Sequence, residues 1–236
     1  MEGLFKNFDD KEVESLKEIV IGLHGLGGGG NHSFLACLSP LLKEQNIGLS
    51  WFHLPGHYSR ESEELTIDGC FKLIREVESY IRNDLLKNHP NIKVSLFGAS
   101  FGAHLAIRYL EKHGNNFYKV FLVVPALNQQ VKWKKDSPEL TKPLESGKTI
   151  PFGTFGTKVT PKFYKEFAFY DGLGVKFNRK DNITIVCATG DTVVDNNQTE
   201  RFAKKHGFEI IWVEGAEHGV RREQDLELFT KLIVGE

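Results

Sequence analysis

The sequence predicts an α/β domain built on a mostly parallel sheet with helices on both faces, and three observations lead there. Short apolar runs recur along the chain and end in glycine or proline. Amphipathic stretches, with apolar residues three and four apart, lie between several of them. The apolar runs are continuous rather than alternating with polar residues, which is the pattern of strands covered on both sides.

Taken in order, EIVIGLHG (18–25) is the first buried strand and GLSWFHLPG (48–56) the second, stopped by Pro55 and Gly56. From about Thr66 to Lys87, residues Ile67, Phe71, Ile74, Val77, Ile81 and Leu85 make one face of a helix. NIKVSLFG (91–98) is the third strand, and HLAIRYLEKHG (104–114) is a helix closed by a glycine just past its end. KVFLVVPAL (119–127), ITIVCATG (183–190) and FEIIWVEG (208–215) complete the strands, and a final helix covers roughly 221–234. Between Leu127 and Ile183 neither period holds. That stretch carries prolines, glycines, lysines and Trp133, Phe152, Phe155, Phe163, Tyr164, Phe167 and Tyr170. A structureless loop that long does not fit a compact domain. Residues 128–180 are therefore expected to form a small insertion, a lid over the strand ends, within one domain spanning 1–236.

Composition narrows the function. At 236 residues, with 40% apolar and 26% charged side chains, the chain can bury a large core and is of neither the disordered nor the membrane class. A net charge of −1, with both signs spread throughout, builds no basic stripe, so nucleic acid is not an expected partner. The N-terminus carries acids and lysines where a signal peptide needs an apolar run, and no stretch is long enough to span a bilayer. Cys37, Cys70 and Cys187 are odd in number and lack metal or redox spacing. A reducing cytoplasm is the expected setting.

The chemistry centres on GASFG, Gly98 to Gly102, set between the third strand and the helix that follows it. A serine on so sharp a turn needs small residues two before and two after it, and its hydroxyl then stands clear at a helix N-terminus. A serine hydroxyl is a weak nucleophile until a base takes its proton. GAEHG (215–219) supplies His218 in the loop after the last strand, on the sheet edge where parallel strands bring their C-terminal loops together. The orienting acid should lie in ATGDTVVDNNQ. Asp191 follows the strand end directly, whereas Asp195 precedes a helix with Gln198 three residues on, a capping-box arrangement that gives it a structural task. This favours Asp191 and leaves Asp195 as the alternative. The oxyanion donors would be the backbone N–H of Phe101 and one from HGLGGGG (24–30), that of Leu26. The glycine run lacks a nucleotide-binding register, and His24 is read as shaping the loop rather than as a second base.

These residues together resemble the α/β-hydrolase superfamily: HG-x-G after an early strand, G-x-S-x-G, then an Asp loop and a His loop, over nearly the whole chain. Within it the chain is similar to lid-bearing carboxylesterases of the feruloyl (cinnamoyl) esterase and monoacylglycerol-lipase type. HLPGHYSRESEELTI and the aromatic stretch ending in KFYKEFAFYDG carry that likeness. Where the family commonly has an Asp before Pro-Gly-His and a Gly after it, this chain has His53 and Tyr58, and its acid loop is shortened. The resemblance implies a serine hydrolase that cleaves a small-molecule ester or thioester, with an apolar or aromatic acyl part, through an acyl-enzyme, and it implies no metal or organic cofactor. Trp133, Phe152, Phe155 and Phe163 are the candidate residues lining the acyl site. Peptidase, acyl-transferase and thioesterase activities share the same triad, and a non-catalytic binding module is the alternative of another class.

Overall fold

The computed structural model describes residues 3–29, 33–168 and 170–235. Nine strands and eight α-helices follow one another among these residues. The strands are β1 (Leu4–Lys6), β2 (Glu18–Leu23), β3 (Ile47–Phe52), β4 (Lys93–Ala99), β5 (Val120–Val123), β6 (Ile150–Phe152), β7 (Thr157–Val159), β8 (Ile183–Ala188) and β9 (Ile210–Val213). The helices are α1 (Phe34–Glu44), α2 (Ile67–Ser79), α3 (Phe101–His113), α4 (Gln129–Asp136), α5 (Pro138–Glu145), α6 (Pro161–Ala168), α7 (Asn196–His206) and α8 (Glu223–Val234).

Seven strands form one sheet in the order β1-β3-β2-β4-β5-β8-β9. Every pair is parallel except β1 with β3, where Phe5 lies opposite Trp51. Each residue of β2, β3 and β5 is buried, as continuous apolar runs require when helices cover both faces. The fold is that of the α/β hydrolases, and β4 sits at its centre. No helix among the described residues is long and apolar enough to cross a membrane.

Two elements had no clear forecast in the sequence. Helix α1 starts at Ser33, whose hydroxyl accepts from the Ala36 N–H at 3.2 Å, and it buries Phe34, Leu35, Leu38 and Leu42. Pro40 inside it obscures the helical reading. Strand β1 is too short to register as a pattern. The helix expected from Thr66 runs as α2 to Ser79 and continues as a π-helical turn over Tyr80–Leu85.

Residues 128–180 hold three eight-residue helices and a hairpin, α4, α5, β6-β7 and α6. Pro138 and Pro161 each open a helix, where a missing N–H costs nothing. Elements this short give no sustained period, so the segment reads as irregular in sequence. Its buried aromatics hold it together: Trp133 lies parallel to Tyr164 with ring centroids 6.3 Å apart and meets Phe167 edge-on at 5.6 Å.

Candidate active site

Ser100 stands between β4 and α3 with φ 55° and ψ −114°, a conformation that L-residues avoid. The turn is held by the Ser100 N–H donating to Val123 O at 2.8 Å and by its carbonyl accepting from Ala126 N–H at 3.2 Å and from His104 N–H at 3.1 Å. The two glycines of the motif are sterically obligatory. A Cβ on Gly98 would sit 2.5 Å from Gly102 O, and one on Gly102 would sit 2.1 Å from Leu23 O. The sequence demand for small residues two before and two after the serine is thus a contact between turn, helix and the neighbouring strand β2.

Ser100, His218 and Asp191 are joined by hydrogen bonds in series. His218 Nε2 lies 2.9 Å from Ser100 Oγ, and its Nδ1 lies 2.7 Å from Asp191 Oδ2. The Asp191 side chain has no exposed surface, and its other oxygen accepts from the N–H groups of Val193 (2.8 Å) and Val194 (3.1 Å). These two backbone donors, with the His218 ring on the other oxygen, fix the carboxylate in place. Asp195 is the N-cap of α7, its carboxylate accepting from Asn197 N–H at 3.1 Å, and it takes no part in the series. The expected capping box does not close. Gln198 turns away and donates to Asp171 O at 3.0 Å, tying α7 to the chain entering β8.

Two hollows meet at Ser100. One, of about 280 Å³, runs over Gly25–Gly28, Ser33–Leu35, Gly153, Thr154 and Arg221. The other, of about 230 Å³, is walled by Leu26, Phe101, Ala126, Gln129, Trp133, Phe152, Phe167 and Val193. Leu26, on the glycine loop, and Phe101, at the start of α3, both named from sequence as oxyanion donors, border the hollow at Ser100. Of the four aromatics expected at the acyl site, Trp133 and Phe152 line the second hollow and two do not. Phe155 is 46% exposed and packs on Tyr58 at 4.2 Å, because the β6-β7 turn carries it outward. Phe163 is completely buried behind Phe101, with ring centroids 5.5 Å apart, so it supports the wall without forming it. Phe167, one turn along α6, takes the place expected of Phe163. Gln129 was not foreseen either. It faces the hollow one turn before Trp133, and its amide donates to Val193 O at 2.9 Å, linking α4 to the loop that carries Asp191. A larger surface groove, about 1070 Å³, lies along α2 and α3. It is open, several of its charges are paired with one another, as Glu78 is with Arg82 and Asp68 with Lys112, and it holds none of the residues above.

Three buried histidines surround the site without joining the series. Burial pushes His24 and His104 down to about 3 and His57 to about 4, so all three rings are neutral at pH 7. Cys187, at the end of β8, is raised to about 12 by burial and by the nearby Asp191, which leaves it an inert core thiol.

Among curated proteins no sequence matches this chain. Solved structures give its fold. A monoacylglycerol lipase from Paleococcus ferrophilus superposes with a TM-score of 0.72 at 19% identity, covering 100% of this chain and 98% of that one. Est1E from Butyrivibrio proteoclasticus, with ferulic acid bound, gives 0.73 at 15% identity over 98% and 92%. A soluble variant of monoglyceride lipase from Saccharomyces cerevisiae, in complex with a substrate analog, gives 0.75 at 12% identity over 94% and 86%. The family model for serine aminopeptidase, S33, matches residues 14–164, which take in the glycine loop and the serine turn. The chain belongs to this serine aminopeptidase S33 family of the α/β hydrolases.

Proposed function

We propose that this protein is a serine hydrolase that cleaves a carboxylic ester or thioester with an apolar or aromatic acyl group through an acyl-enzyme. The observation that carries this reading is the hydrogen-bonded series from Asp191 through His218 to Ser100 at the mouth of an aromatic-walled hollow. In the proposed reaction Ser100 Oγ attacks the acyl carbon while His218 Nε2 takes its proton. Asp191 holds the ring with Nδ1 protonated and stabilises the imidazolium. The N–H groups of Leu26 and Phe101 receive the oxyanion, each worth about 3 kcal/mol of transition-state stabilisation. His218 returns the proton to the leaving group, then activates water to release the acid. Residues 128–180 serve as the lid, with Trp133, Phe152 and Phe167 forming the acyl wall.

The family's description favours a second reading, an aminopeptidase. That activity must hold a free α-ammonium group. Among the described residues the hollow's lining includes no carboxylate and has Gln129 as its polar side chain beyond Ser100 and His218, which favours an uncharged acyl group. The test is fluorophosphonate labelling of wild type and of Ser100→Ala, together with turnover of p-nitrophenyl esters of graded acyl length and of aminoacyl p-nitroanilides. Labelling of the wild type alone, with esters turned over ahead of anilides, is the expected result. Labelling of the Ser100→Ala variant at the same rate would sink the assignment.

A further inference from the structure

The glycine loop after β2 and the loop after β3 are stitched to each other by two buried histidines that the reaction does not use. His24, from the first loop, accepts at Nε2 from the Leu54 N–H of the second at 3.0 Å. That contact leaves the proton of the neutral ring on Nδ1, which donates to Gly25 O at 2.8 Å. His57, from the second loop, accepts at Nε2 from the Gly27 N–H of the first at 3.0 Å, and its Nδ1 donates to Pro55 O at 2.9 Å. The rings are 3% and 1% exposed and meet edge-on, 4.9 Å apart.

These bonds act on the peptide that matters. Gly25 O also accepts from Gly28 N–H at 3.0 Å, closing a tight turn with Gly27 at φ 70°. In a planar trans peptide the N–H points opposite to the carbonyl. Two donors fixed on Gly25 O therefore fix the direction of the Leu26 N–H. The next peptide in the turn is held by His57 through Gly27 N–H, so it cannot rotate about the chain and carry Leu26 with it.

We propose that His24 and His57 are positioning residues, a reciprocal clasp that pre-aims the Leu26 N–H at the oxyanion. The inference rests on the serine-hydrolase reading above. It assigns each ring one working atom. His24 must donate from Nδ1, a position that an Asn amide reproduces, and His57 must accept at Nε2, a position that a Gln amide oxygen reproduces. A merely structural pair of histidines has no such crossed preference.

The experiment compares His24→Leu, His24→Asn, His24→Gln, His57→Leu, His57→Gln and His57→Asn with the wild type. It measures kcat and KM on a p-nitrophenyl ester and Ki for an arylboronic acid that forms a tetrahedral adduct on Ser100. Losing the aim of one oxyanion donor should lower kcat about 10- to 100-fold in the Leu variants, raise the boronate Ki in parallel and leave KM within about twofold. Asn should restore most of the loss at position 24 and Gln at position 57. Equal effects of Asn and Gln at both positions, or a loss confined to KM, would overturn the clasp. Should the Leu variants fail to fold, the ring tautomers of the wild type decide, read from two-bond ¹H–¹⁵N correlations: both rings must carry the proton on Nδ1, and an Nε2–H form at either refutes the assignment. Absent labelling of wild-type Ser100 overturns the hydrolase reading, whereas normal labelling without the crossed Asn/Gln pattern overturns the clasp alone.

Discussion

Acidification from pH 7.5 to 5 should destabilise the protein strongly, because three histidines fold as neutral rings. His24, His57 and His104 are held at about 3, about 4 and about 3 by burial. In the unfolded chain each returns to its ordinary value near 6.5. As the pH falls below that value the unfolded state binds protons that the folded state refuses, so stability present above 6.5 is lost progressively down to about 4. Down to pH 5 each ring costs roughly 2 kcal/mol and the three together about 6 kcal/mol, comparable with the whole stability of an ordinary domain. His53, lowered by burial and by Arg60, adds in the same direction. Glu18, raised by burial, acts in the opposite sense, its contribution lost as the pH rises through its folded value. In a chain of this length the net change corresponds to a fall in Tm on the order of 10–20 °C. Thermal melts followed by circular dichroism at constant ionic strength would measure it. A Tm that moved by less than about 3 °C between pH 7.5 and 5 would refute the neutral-histidine account.

Other outcomes follow from the same geometry. Ser100→Ala should abolish acyl-enzyme formation, leaving a residual rate about 10³-fold above the uncatalysed one, with an unchanged melt. Asp191→Asn should cut kcat by roughly 10⁴-fold through the wrong His218 tautomer. Asp195→Ala should cost about 1 kcal/mol of stability from the lost cap of α7 and little in rate, and the reverse pattern would move the orienting role to Asp195. Alanine at Trp133, Phe152 or Phe167 should raise KM for long or aromatic acyl esters about tenfold relative to acetates, as loss of apolar pocket wall does. Phe155→Ala, outside the hollow, should leave that ratio unchanged. Gly102→Ala should cost more than about 3 kcal/mol, because its methyl meets the β2 backbone rather than a side chain that can move, and a soluble variant with a wild-type melt would contradict the steric account.

How much of this was legible beforehand depended on whether the controlling contact was local. The six main strands were, because burial on both faces writes itself as a continuous apolar run. The serine turn was too, since its steric demand falls on Gly98 and Gly102 within one pentapeptide. Asp191 and Asp195 could be ranked because the N-terminus of α7 recruits Asp195 through near neighbours. The lining of the aromatic-walled hollow was not legible. Phe163 and Phe167 share a helix and a chemistry, and only the packing of α6 against Phe101 decides which ring is wall and which is backing. The histidine clasp was hidden for the same reason, each ring bonding a backbone group 30 residues away along the chain. Helix α1 was hidden by one proline.

The order of strands in the sheet has a consequence for how reactivity arises during folding. Ser100, the glycine loop and both clasp histidines come from β2, β3 and β4, while Asp191 and His218 arrive on β8 and β9. Strand β8 joins the sheet through β5, and β9 joins only through β8. A chain that has not yet docked these two strands holds the Ser100 turn without His218 beside it. In the proposed hydrolase, Ser100 gains its base only once β8 and β9 have docked. A fluorophosphonate added during refolding becomes a clock for the docking of β8 and β9, reading completion of the sheet's far edge by a covalent mark at its centre.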